Sequence, residues 1–327
     1  VSEHVLRNVQ HAVDIAAPPQ VVHGLLADAV RWPAVFPPTV HVEREPLGED
    51  RELLRIWALA GGEVRAWTSQ RRLLKQRLHI TFRQTVSAPP VASMSGSWDI
   101  TPLPDGGSRV ILSHRFAAID DDPEQLRWIE ETTDRNSTSE LASLRSIAEG
   151  LVSDPGTDAG TDPLDRLLFS FEDSVLIQAP PAEVHDFLYR ADLWPQRLPH
   201  VARVRLTEDR PGEQLLEMDT VSPDGSPHTT VSVRIGLAPH TLAYKQTVLP
   251  PAFAAHSGRW TLAPDGDGGT RATSRHTVRL DPVHILALPG VETLEQGRDA
   301  VRTALGTNSL TTLNRAKELL EGAGASI

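Results

Sequence analysis

Apolar and polar residues alternate in short runs along most of this chain, and only a few stretches change to a helical spacing. Alternation with a period of two marks strands with one buried face, whereas spacings of three and four mark amphipathic helices. Runs at 10–15 and 174–178 read as strands, and a Pro-Pro pair follows each. Proline suits the first turn of a helix, where its missing N–H costs no hydrogen bond. Short amphipathic helices are accordingly predicted over 20–27 and 182–189. Trp-Pro at 32–33 and 194–195 is expected to end each helical stretch, because a residue before proline avoids the helical region. A series of strands should follow, parted by turn clusters at 47–50, 60–62, 87–90 and 104–107. A long helix closes the pattern in the first half. Asp122 can cap it, Pro123 can open it, and Leu126, Ile129, Leu141, Leu144 and Ile147 give it an apolar stripe.

The pattern occurs twice. The segment VDIAAPP at 13–19 aligns with VLIQAPP at 175–181, an offset of 162 residues. That offset carries Trp32-Pro33 onto Trp194-Pro195, Gly96 and Trp98 onto Gly258 and Trp260, and His114 onto His276. Near the end it grows to 172, where Asn136, Ser137 and Leu141 meet Asn308, Ser309 and Leu313. The chain is therefore an internal duplication of 327 residues, long enough for two domains of ~150 residues each. The boundaries expected are 1–150, a Gly-, Asp-, Thr- and Pro-rich linker at 151–168, and 169–327. Strand, helix, strands and long helix in that order predict an α+β fold in each copy, an antiparallel sheet packed on its last helix.

Strand periodicity then sorts candidate chemistry. Over 63–72, Arg65, Trp67, Ser69 and Arg71 share one face. An apolar core has no use for that row, but a polar-lined pocket does. Ser232 and Arg234 repeat the Ser-x-Arg pair at an offset of 163, so a one-residue loop difference must lie nearby. On the next strand Arg83 is matched by Lys245. The duplicated tryptophans are first of all packing residues. His114 and His276 fall on a late strand, where packing is the plain reading and proton transfer the sharper one.

Composition narrows the classes. A net charge of −11 argues against a nucleic-acid partner. No apolar run approaches the ~18 residues of a membrane span, and no basic segment leading into an apolar core opens the chain, so a cytoplasmic location is expected. There are no cysteines, which excludes disulfides and thiolate chemistry. The histidines show no metal-ligand spacing, and no phosphate-binding glycine loop or nucleophile elbow is present.

The order of elements, with Trp32-Pro33, the row from Trp67 to Arg71, Arg83 and Trp98, resembles the aromatase/cyclases of bacterial aromatic (type II) polyketide synthases. These are helix-grip proteins of the Bet v 1-like (START-like) superfamily, and the duplication resembles the family's di-domain members. The resemblance implies an enzyme without metal or organic cofactor. Its substrate would be a poly-β-ketone carried by an acyl carrier protein, with a minimal polyketide synthase and a ketoreductase as partners. It would direct the first-ring aldol condensation, between carbons 7 and 12 of a ketoreduced chain, and then dehydrate and aromatise the ring.

Carried over by motif, the catalytic residues would be Arg71, Ser69 and Arg83 in copy one and Arg234 and Ser232 in copy two. Trp32, Arg65, Trp67 and Trp98, then Trp194, His200, Lys245 and Trp260, would hold substrate. A pocket tyrosine of mono-domain relatives falls near Thr39, and His200 lies near that place in copy two. Copy one matches the motif more closely, with a lysine at 245 and a threonine at 230 where copy one has Arg83 and Trp67. The rival reading is a non-catalytic START-like carrier of a hydrophobic small molecule, which predicts an apolar cavity with the arginines outside it.

Overall fold

A computed structural model describes residues 5–153, 167–221 and 227–324. The chain divides into two compact units, Val1–Thr161 and Asp162–Ile327. Most of the expected linker, at 154–166, lies outside the described residues.

The first unit opens with strand β1 (Arg7–Ile15), helix α1 (Pro19–Ala27), a single 3-10 turn at Ala29–Arg31 and a one-turn helix α2 (Trp32–Val35). Six strands follow: β2 (Thr39–Pro46), β3 (Arg51–Ala60), β4 (Glu63–Leu74), β5 (His79–Val86), β6 (Val91–Pro102) and β7 (Ser108–Ala118). The long helix α3 (Pro123–Ser153) completes the unit. The sheet order is β1-β7-β6-β5-β4-β3-β2, every pairing antiparallel. This is the sheet gripping a long helix that the pattern predicts.

The second unit repeats it with β8 (Leu168–Ile177), α4 (Pro181–Tyr189), α5 (Trp194–Arg197), β9 (Val201–Arg210), β10 (Glu213–Val221), β11 (Pro227–Leu237), β12 (Thr241–Val248), β13 (Phe253–Pro264), β14 (Thr270–Leu280) and the terminal helix. An added helix α6 (Pro282–Leu286) precedes that terminal helix α7 (Leu294–Gly324), which accounts for the growth of the repeat offset. The Asp281 side chain caps α6 by accepting from the N–H groups of Val283 and His284. Among the described residues, no helix is long and apolar enough to cross a membrane.

Local sequence explains the elements. Asp122 accepts from the N–H groups of Glu124 and Gln125 at the start of α3, and the predicted stripe from Leu126 to Ile147 is buried. Trp-Pro does not end the helical stretch as expected. It opens α2, because Pro33 stands in the first turn, where its missing N–H has no partner to lose. The repeated Gly-x-Trp also finds its reason. A Cβ at Gly96 would strike the Ser113 carbonyl and the Phe82 ring, and one at Gly258 would strike the Arg275 carbonyl and the Tyr244 ring. Each glycine lets an aromatic side chain of the neighbouring strand lie across it.

One contact joins the helical segment to the sheet in each unit. Strand register sets Glu52 opposite Arg71. The buried Arg71 guanidinium donates through Nε to Glu52 and through its Nη groups to the carbonyls of Leu26 (2.7 Å) and Ala27. Those carbonyls end α1, where a cation meets the negative end of the helix dipole. Glu52 also accepts from Arg44 at 2.6 Å. In the second unit Gln214 stands opposite Arg234. Arg234 donates to Gln214 (2.7 Å), to Tyr189 O (3.2 Å) and to Leu188 O. The Trp32 and Trp194 rings lie 5.0 Å from their arginine's guanidinium carbon.

Three stability outcomes follow from these contacts. Gly258→Ala is expected to cost about 1–3 kcal/mol through overpacking, read by urea denaturation. Arg71→Ala, which leaves Glu52 to Arg44 alone and strips its strongest donors from the carbonyls of Leu26 and Ala27, should cost about 3–5 kcal/mol. Glu52→Gln should cost clearly less, since the second unit already uses glutamine there. Equal losses in the last two variants would contradict the clamp.

Candidate functional site

Between each sheet and its long helix lies a cavity. In the first unit it has two adjoining lobes, with empty volumes of about 700 and 660 Å³ that include space open to solvent. Both are bounded by Trp67, Gln84, Met94, His114 and Glu140. The inner lobe adds Trp32, Ser69, Arg71 and Trp98, and the outer lobe adds Arg65. In the second unit the cavity measures about 760 Å³ and is lined by Trp194, His200, Ser232, Arg234 and Trp260 among others. The expected face of β4 therefore turns inward whole, and its counterpart on β11 does the same.

Two expected residues are elsewhere. Register pairs Ser69 with Gln84 across β4 and β5, so Phe82 and Gln84 share the cavity face and Arg83 points away. Arg83 is exposed. Lys245 is likewise out of phase with Tyr244 and Gln246, which line the second cavity, although it is buried. Neither residue is among those that bound these cavities, which corrects the expectation for both.

Arg71 and Arg234 do bound theirs, but much of each guanidinium is already committed to the clamp. Arg71 touches a carboxylate directly. Among the described residues, Arg234 forms no ion pair. Its route to Glu208 passes through the amide of Gln214, which donates to that carboxylate at 3.0 Å. Burial pulls Arg234 down to about 10, still far above neutrality.

The long helices contribute groups that motif reading missed. Thr132, Thr133, Asn136, Ser137 and Glu140 interrupt the apolar stripe of α3 and face the cavity. The signal was available, because these positions share one helical face at spacings of three and four. Burial pushes the Glu140 carboxyl up to about 7, and among the described residues no salt bridge holds it ionised. Across the cavity, His114 Nδ1 is buried with no hydrogen-bond partner among the described residues. Burial first, then the charge of His11, lowers His114 to about 4, so its imidazole is neutral at pH 7. The Phe82 ring stands edge-on to it at 5.4 Å.

The second cavity carries different groups at the same places. Tyr244, His256 and Thr312 replace Phe82, Met94 and Glu140, while His276 matches His114. Tyr244 Oη lies 2.9 Å from His276 Nδ1, and His256 Nε2 lies 3.0 Å from the same atom. His276 is lowered to about 4 by burial, and His256 is lowered well below its usual value for the same cause. Burial lowers His200 as well. Among the described residues, no group of three or more carboxylates and imidazoles is placed to hold a metal ion.

Both cavities thus set titratable groups, shifted by burial toward their neutral forms, beside tryptophan walls. Comparison with known proteins agrees with that character. The family described as polyketide cyclase/dehydrase and lipid transport matches twice, over residues 7–149 and 169–321. The granaticin polyketide synthase bifunctional cyclase/dehydratase of Streptomyces violaceoruber is 44% identical, covering 96% of this chain and 94% of that protein. The actinorhodin polyketide synthase bifunctional cyclase/dehydratase of Streptomyces coelicolor is 39% identical, over 94% and 95%. Among solved structures, the di-domain ARO/CYC BexL of the BE-7585A pathway has a TM-score of 0.79 at 44% identity, covering 96% of this chain and 99% of that one. The di-domain ARO/CYC StfQ of the steffimycin pathway has a TM-score of 0.80 at 29% identity, over 97% and 99%. The chain belongs to the polyketide cyclase/dehydrase family, as a two-domain enzyme of the cyclase/dehydratase kind.

Proposed function

We propose that this protein receives a poly-β-ketone from an acyl carrier protein, directs the first-ring aldol condensation, and then dehydrates and aromatises the ring. The reading includes closure between carbons 7 and 12 of a chain that a ketoreductase has already reduced. The observation that carries it is the presence of Glu140 and His114 in one tryptophan-walled cavity, a carboxyl raised to about 7 and a neutral imidazole. Relatives named as cyclase/dehydratases along nearly their whole length support it.

The chemistry suits these groups. Methylenes between two carbonyls are acidic, so unguided cyclisation is the hazard, and a shaped cavity that fixes which carbons meet supplies most of the control. Trp32, Trp67 and Trp98 give flat walls against a planar product, with Arg65 at the outer lobe. Ser69 and Ser232 offer hydroxyl donors toward a carbonyl. The N–H groups that Arg71 and Arg234 do not spend on the clamp can stabilise an enolate or alkoxide in a water-poor site. Dehydration needs an acid on the departing hydroxyl and a base on the neighbouring C–H, the roles of Glu140 and His114. The carrier reading explains an apolar cavity but gives this pair no purpose.

Reconstitution with a minimal synthase and ketoreductase tests the reading. The protein should convert a mixture of spontaneous products into one dehydrated, aromatised first-ring product. An unchanged mixture would favour the carrier.

Glu140 gives a second test. An unfolded glutamate titrates near its model value of 4.5, whereas the folded one titrates at about 7. Between those values the folded state holds a proton that the unfolded state has lost, so stability falls as pH rises through the window. Glu140→Gln should abolish that loss. Its stability relative to wild type should rise from pH 5 to pH 8 in urea titrations, and a difference independent of pH would refute the raised carboxyl.

A further inference from the structure

Three strands of the second unit each send one polar ring into the cavity: Tyr244 from β12, His256 from β13 and His276 from β14. The hydrogen-bond polarity of this group follows from its ends. Ser309 Oγ lies 2.7 Å from the Leu305 carbonyl and 2.6 Å from His276 Nε2. A hydroxyl has one hydrogen and a carbonyl can only accept. Both contacts are hydrogen bonds only if Ser309 donates to Leu305 and accepts from His276 Nε2–H. That tautomer leaves Nδ1 of His276 as a bare lone pair.

Two neighbours reach that single lone pair, Tyr244 Oη at 2.9 Å and His256 Nε2 at 3.0 Å. On its far side His256 Nδ1 meets Gln246 Oε1 at 2.9 Å, an acceptor that a flip of the amide exchanges for a donor. His256 can therefore carry its hydrogen on either nitrogen. When it donates to His276, the Tyr244 hydroxyl is released toward the cavity. When it donates to Gln246, its bare Nε2 faces the bare Nδ1 of His276, and one added proton is shared between them. Of these three rings the first unit keeps only the histidine, His114, since phenylalanine and methionine stand at 82 and 94.

We propose that Tyr244, His256 and His276 are the proton-transfer group for aldol closure in the second cavity, and that Glu140 and His114 remove water in the first. The proposal rests on the polyketide reading above and assigns its two half-reactions. In closure, His276 Nδ1 takes a proton from a methylene flanked by carbonyls, and His256 shares that proton. The resulting enolate carbon forms a C–C bond with a distant ketone, whose π bond breaks to an alkoxide. Tyr244 polarises the ketone oxygen, and the stored proton returns through it to the alkoxide, so the step is an isomerisation. In dehydration, His114 takes the C–H proton while Glu140 protonates the hydroxyl. The C–O bond breaks, a C=C bond forms and water leaves, with the borrowed protons restored between the two side chains.

The duplication supplies variants the fold already tolerates. Tyr244→Phe and His256→Met install the residues of the first unit, and Glu140→Thr installs the residue of the second. In the reconstituted system, with folding checked by circular dichroism, the double variant Tyr244→Phe/His256→Met should lose at least tenfold of the correctly closed product and return the spontaneous mixture. Glu140→Thr should keep the ring register and accumulate the hydroxylated, undehydrated ring. If the double variant accumulates hydroxylated ring, or if Glu140→Thr scrambles the register, the assignment is overturned. Loss of both half-reactions in folded Glu140→Thr overturns it as well. A wild-type protein that leaves the mixture unchanged overturns the polyketide reading itself.

Discussion

A buried guanidinium bonded to the last carbonyls of a short helix is the contact on which each unit depends. Without Arg71 the Ala27 carbonyl at the end of α1 would lose its guanidinium donor, the Leu26 carbonyl would keep only the Trp32 indole N–H, and β3 would hold Glu52 without its closest cation. The same contact fixes Trp32, whose ring lies against the guanidinium, and Trp32 in turn meets Phe36 edge-on at 5.5 Å. Phe36 stacks on Trp98 at 6.1 Å, so one arginine orients a chain of rings that reaches across the cavity floor. An arginine usually sought as a catalytic group is here first a fastening, and its chemistry is confined to the N–H groups left over.

The architecture was legible because it rests on local signals written twice. Pro-Pro marks a helix start, alternation marks strands, and Asp122-Pro123 marks the long helix. Residue faces within one strand were legible too, and the row from Arg65 to Arg71 turns inward as its period requires. What could not be read is register between strands. Arg83 was assigned by likeness to a motif, yet its facing depends on which residue of β4 it lies beside, and Gln70 is that neighbour. The cluster of Tyr244, His256 and His276 was hidden for the same reason, since its members are far apart in sequence and adjacent only through pairing. Glu140 was different. It lies on a single helix, and a run of polar residues across an apolar stripe could have been noticed.

The two cavities share walls and differ in where they keep protons. The first holds one on a carboxyl with few competing contacts, beside an imidazole whose Nδ1 has no partner. The second spreads its protons over linked rings whose hydrogen positions are interchangeable. A matching placement between sheet and long helix, with different protonic content, is what a duplicated container would show if architecture were constrained by one substrate skeleton and chemistry by two successive demands on it.

Glu52 and Gln214 occupy one place in the two copies and have nearly the same shape. Exchanging one for the other leaves the arginine's hydrogen-bond partner in position while moving its counter-charge outward, to Glu208 in the second unit. In the genetic code the two amino acids differ by a single base. The electrostatic character of such a cavity is therefore one point mutation away from change, with no backbone rearrangement required, and a freshly duplicated domain could drift in potential long before it drifted in form.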